Sequence, residues 1–199
     1  MFLQKISREE IDRLEIRSFD GRVHLIDSPG KFQRAYPSIK AESILGFDTE
    51  TRPSFRKGTV HDISLIQLAS ASEAWLLRIN RIGIPPELKN LFEDAGIMKV
   101  GVGLKDDLRK IKNLDTIVPA GFLDLQKFVE QFEIESRSLK KITAIILGFK
   151  ISKSQQLSNW NADELTEAQK LYAATDAWVC YLIYKKLTKV QHGSGQGAY

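Results

Sequence analysis

Hydrophobic and polar positions follow two different periods along this chain. The runs "GRVHLIDS" (21–28), "SILGFDTE" (43–50), "DISLIQLAS" (62–70), "EAWLLRI" (73–79) and "IMKVGVG" (97–103) are short and rich in Val, Ile, Leu and Phe, and each predicts a strand. A turn at "ASASE" makes the third and fourth an antiparallel pair. "EIDRLE" predicts an N-terminal helix and "PGKFQRAYPSIK" a loop leading into another. "PPELKNLFEDAG" begins on proline, keeps Leu88, Leu91 and Phe92 on one face and ends on glycine, as a helix does. Further helices are expected from "LKDDLRKI", over "FLDLQKFVEQF" and "SLKKITAIILG", and along residues 165–190. Thr166 is placed to cap that last helix, and Lys185, Lys186 and Lys189 lie at the end where its dipole favours cations. Strands come first, then helices with one strand interposed, which predicts an α/β domain with a mixed sheet covered by helices.

Composition narrows the class. The 199 residues, 43% of them apolar, fit a single domain, expected over 1–190, with a glycine-rich flexible tail at 191–199. A net charge of +4 suits an anionic partner without selecting one. The single cysteine, Cys180, excludes an internal disulfide and is expected to be buried within "AWVCYLIY". Neither a signal-peptide pattern nor an apolar run of membrane-spanning length is present, so a soluble cytoplasmic protein with no membrane partner is expected. His24, His61 and His192 stand far apart, leaving zinc and histidine-based metalloprotease chemistry without support. Any metal would be held by oxygen.

Carboxylates stand out of pattern in three places. Asp48 and Glu50 end an apolar strand with both side chains on one face, while Thr49 points away. Like charges so close call for a positive partner, and a metal ion would supply one. In "VGVGLKDDLRK" a strand ends in glycines and opens a helix with Asp106 and Asp107. One of the two serves the helix N-terminus, and the other is an acid at the carboxyl end of a strand, where α/β active sites lie. A dinucleotide-binding fingerprint would need a third glycine that is missing. Asp176 sits in the middle of the apolar stretch "LYAATDAWVCYLIY" with Tyr172 one turn before it. A buried carboxylate there must face a cavity, a cation or a donor.

In order, "FDTET", "GVGLKDD" and "YAATD" resemble the three motifs of the DEDD superfamily of 3′→5′ exonucleases in its tyrosine-containing branch. "LSNWNADELTEAQKLYAATDA" is similar to the Werner helicase exonuclease domain, and the same motifs resemble the catalytic domain of ribonuclease D. The resemblance spans about residues 44–186 and implies a ribonuclease-H-like fold with two divalent ions, Mg2+ or Mn2+. It implies Asp48, Glu50, Asp107 and Asp176 as metal ligands and Tyr172 as the residue that orients the attacking water. The partner implied is nucleic acid, with DNA favoured and RNA the alternative, and the product a nucleoside 5′-monophosphate. Thr49, Thr51, Phe55, Lys57, Leu104, Lys105 and Lys153 are the expected substrate contacts, with further cations at Arg52, Arg56 and Lys150. Thr51 departs from the aromatic residue common at that place in Werner-like relatives, which bears on the preferred end structure rather than on catalysis. A catalytically silent nucleic-acid-binding scaffold is the contrasting reading, and the presence of all four acids and the tyrosine weighs against it.

Overall fold

The structure, a computed structural model, describes residues 2–53 and 61–194. The N-terminal helix α1 (Arg8–Asp12) starts on a capping box in which Ser7 and Glu10 bond each other's backbone. There follow β1 (Arg22–Ile26), α2 (Pro29–Ala41), β2 (Ile44–Thr51), β3 (Ile63–Ala69), β4 (Glu73–Leu77), α3 (Ile79–Ile82), α4 (Pro86–Glu93), β5 (Met98–Gly101) and α5 (Lys105–Leu114). The chain continues through β6 (Phe122–Asp124), α6 (Leu125–Phe128), a 3-10 turn (Val129–Phe132), α7 (Leu139–Leu147) and α8 (Glu167–Ser194).

The six strands form one mixed sheet in the order β1-β4-β3-β2-β5-β6. β2, β3 and β4 are antiparallel neighbours, while β1–β4, β2–β5 and β5–β6 pair in parallel. On one face Phe47, Leu45 and Ile66 pack against α2, α4 and α5 through Phe32, Leu91, Phe92 and Ile111. On the other, Leu65, Ala69 and Leu76 meet Ala173, Ala174 and Ala177 of α8. Helices thus cover both faces of an α/β sheet, as the hydrophobic pattern predicts. Among the described residues no helix is long and apolar enough to cross a membrane.

Three elements differ from expectation. The strand expected over 73–79 ends at Leu77, and Ile79 opens the short helix α3. "FLDLQKFVEQF" is not one helix: Phe122–Asp124 pair with Lys99–Gly101 as the edge strand, and Asp124 then caps a short helix by accepting from Gln126 N. Helical periodicity in so short an apolar run is overridden by an available sheet edge. At the other end α8 runs to Ser194, past the expected boundary, with Gln191 donating to the Gln131 side chain at 2.6 Å. Residues 195–199 of the expected tail lie outside the described residues.

Candidate active site

Position on β2 follows from a glycine. A Cβ on Gly46 would stand 1.8 Å from the Ala177 carbonyl oxygen, so α8 crosses β2 at a distance that only glycine permits. Ala173, Ala174 and Ala177 complete this close approach. The crossing lays Asp176, 7% exposed in an apolar helix, beside the end of β2. There, one carboxylate oxygen from each of Asp48, Glu50 and Asp176 lies within 4.8 Å of the others. A register shift between Glu50 and Thr51 ends the regular pairing with β3 just past the acids.

Asp107 reaches the same strand end from the opposite sheet face. The Thr49 hydroxyl, turned away from Asp48 and Glu50, donates to the Asp107 carboxylate, which is partly buried on α5. Asp106 is exposed and faces Arg109 at 3.1 Å. The start of α5 is fixed by Asp124, whose carboxylate accepts from the backbone N–H groups of Gly103, Leu104 and Gln126 at 2.9–3.1 Å.

The electrostatics of these acids share one cause. Burial, then the charges of Asp176 and Asp107, hold Asp48 well above the usual carboxylate range. Burial, then Asp48, Asp176 and Asp107, push Glu50 to about 9. Asp107 and Asp176 are also raised, first by burial, with hydrogen bonds from Thr49 and Tyr172 opposing the shift. The Tyr172 phenol is pushed above its ordinary value by burial and by Asp176, Glu50 and Asp48, so it stays protonated and can donate. Carboxylates that must either hold protons or gain a cation, with no sulfur or imidazole ligand in the cluster, fit a hard divalent metal.

A cavity of about 460 Å³ opens over this cluster, lined by Asp48, Glu50, Asp176 and Tyr172. Thr49, Thr51 and Lys153, three of the expected substrate contacts, border it. Leu104 does not: its side chain is 3% exposed in the core, because the turn held by Asp124 directs it inward. Lys105 is exposed on the first turn of α5 and is not among the lining residues. Lys150 is spent elsewhere, donating to the Asp12 carbonyl at 2.6 Å. Phe55, Arg56 and Lys57 lie outside the described residues. Sequence reasoning missed Ser138, Lys140, Gln156 and Leu157, which border the cavity from the start of α7 and from the segment before α8. The one local signal for them is the cap "SLKK", which places Ser138 at a helix start.

The chain is similar to known proteins over most of its length. A family model described as 3′-5′ exonuclease matches residues 23–191. A mouse protein, the bifunctional 3′-5′ exonuclease/ATP-dependent helicase WRN, is 35% identical over 157 residues, 72% of this chain and 11% of that protein. The crystal structure of the Aedes aegypti Nibbler EXO domain superposes with a TM-score of 0.75 at 27% identity, covering 89% of this chain and 94% of that one. Escherichia coli RNase D shares the fold, with a TM-score of 0.76 at 24% identity over 87% of this chain and 46% of its own. The chain spans about a tenth of the mouse relative's length. From residue 23 to residue 191, the chain belongs to the 3′-5′ exonuclease family.

Proposed function

We propose that this protein is a metal-dependent 3′→5′ exonuclease that hydrolyses terminal phosphodiester bonds, of DNA in the first instance, to release nucleoside 5′-monophosphates. The observation that carries the reading is the meeting of Asp48, Glu50 and Asp176 with Tyr172 in one open cavity, with Asp107 behind Thr49. Asp48, Glu50 and Asp176 would hold one divalent cation, Mg2+ or Mn2+, and Asp48 with Asp107 a second. When bound, such cations neutralise charge at the scissile phosphate and lower the pKa of an attacking water. Tyr172 keeps its proton at neutral pH, so it orients that water as a hydrogen-bond partner rather than acting as a base. Lys153, exposed at the cavity edge, meets substrate phosphate, and Thr51 lies where a strand end enters.

The test is a time course on 3′- and 5′-labelled DNA and RNA oligonucleotides with Mg2+, Mn2+ or EDTA. Metal-dependent laddering from the 3′ end is expected. Asp48→Ala and Asp176→Asn should abolish it, and Tyr172→Phe should slow it about 100-fold. Full activity in either acid variant would sink the metal assignment. RNA is the competing substrate; faster decay of the RNA would show a site that uses the 2′-hydroxyl.

A further inference from the structure

Tyr172 and Ser152 each border two cavities: the acid cavity and an adjoining hollow of about 250 Å³. We infer that this second hollow is a nucleobase subsite, receiving a base next to the scissile phosphate; the inference rests on the exonuclease reading and deepens it. Its walls are Ile16 on the N-terminal segment, Ala168 and Leu171 on α8, and Ser152 and Ser154 on the segment before α8.

Three observations select this occupant. Among the described residues six large apolar side chains stand well exposed, and three of them, Ile16 (59%), Leu157 (75%) and Leu171 (40%), border these two adjoining cavities. Apolar surface kept in water beside a highly charged site points to a ligand that carries apolar faces along with its phosphate.

The hollow is also built in advance. Arg17 N donates to Lys150 O and Lys150 N to Glu15 O, both at 2.9 Å, while Thr175 Oγ1 accepts from Phe19 N at 3.0 Å. The N-terminal segment is therefore fixed against α8 before anything binds.

Finally, the hollow asks for no ion. Among the described residues no carboxylate lines it, Ser152 and Ser154 bond each other at 2.9 Å, and Arg17 at the rim is paired with Glu15 at 2.8 Å. An uncharged planar ring with polar edges suits such walls, and a strand whose phosphate reaches the acids can lay a neighbouring base in the adjoining hollow. Apolar contact of this kind tolerates any base sequence.

The experiment couples protein to substrate. Cleavage rates of wild type, Leu171→Ala and Ile16→Ala are measured on one DNA oligonucleotide and on three versions with a single abasic residue at the first, second or third position from the 3′ end. Both variants should keep the wild-type unfolding midpoint, since each side chain is exposed. The expected result is a loss of about tenfold for either variant on intact DNA, a similar loss for wild type at one abasic position, and no further loss when the two are combined. Additive losses, or no loss in the variants, overturn the subsite and assign the hollow to something other than a base. If wild type degrades no oligonucleotide, the exonuclease reading fails first. The same coupling is then sought in oligonucleotide binding by fluorescence anisotropy, and its absence there overturns the hollow as well.

Discussion

Glycine 46 shows how much of the site one missing methyl group carries. Because its absent Cβ would overlap the Ala177 carbonyl, a backbone atom that cannot rotate aside, Gly46→Ala must push α8 off β2. Urea unfolding should show a loss of about 3 kcal/mol, at the upper end for overpacking. The displaced Asp176 should also cost the variant its stabilisation by Mn2+; retention of that stabilisation would separate the crossing from the acid cluster. At this scale the acids and Tyr172 were legible in the sequence, because each stands in a short motif or violates a local pattern, as Asp176 does in its apolar helix. Gly46 was not, since its partner lies 131 positions away, nor was the burial of the Leu104 side chain, because a motif names a residue without saying where its side chain points.

At the scale of elements, the irregular stretch between α7 and α8 forms one wall of the acid cavity through Lys153, Gln156 and Leu157. It is held from across the molecule. Arg78, 1% exposed at the end of β4, donates to the carbonyls of Ala162 and, at 2.6 Å, Asp163, and Arg81 adds a bond to Asp163 O at 2.7 Å. Between these anchors and the wall sits Trp160, fully buried with its ring 6.0 Å from that of Tyr172. Arg78→Ala removes a buried guanidinium with both of its bonds and leaves the partly buried Ala162 carbonyl without its donor, which should lower stability by about 3 kcal/mol. Arg81→Ala, at an exposed site, should cost less than about 1 kcal/mol. Equal losses in chemical unfolding would refute the distinction. The expected strand over 73–79 includes Arg78, whereas β4 ends at Leu77 and Arg78 precedes α3, and the bond from Arg78 to a segment more than 80 residues later has no local signal. β6 escaped for a related reason: three residues become a strand only because β5 offers an edge.

For the whole molecule, the acid cluster sets a pH dependence of folding in the absence of metal. Glu50 has an ordinary value of 4.5 and about 9 in the fold, so between these values the folded chain holds a proton that the unfolded chain has released. Stability therefore falls as pH rises through that window, and the raised Asp176 and Asp48 act in the same direction. Metal-free protein should melt at progressively lower temperature from pH 5 to pH 9. Added Mn2+ should raise the midpoint more at pH 8 than at pH 6, and Glu50→Gln should flatten the metal-free profile. A wild-type midpoint that climbs over the same range would contradict the burial of these groups.

The wide spacing of the acids along the chain also bears on the order of events in folding. Asp48, Asp107 and Asp176 belong to β2, α5 and α8, elements that meet only when both helical layers have closed over the sheet. Contacts of such long range form late, after the loops between them have been closed at an entropic cost. A cation that needs all of them finds no partial site in the unfolded chain or in an early nucleus. Its binding energy then acts on the completed fold alone, leaving the folding rate as it was and slowing escape from the native state.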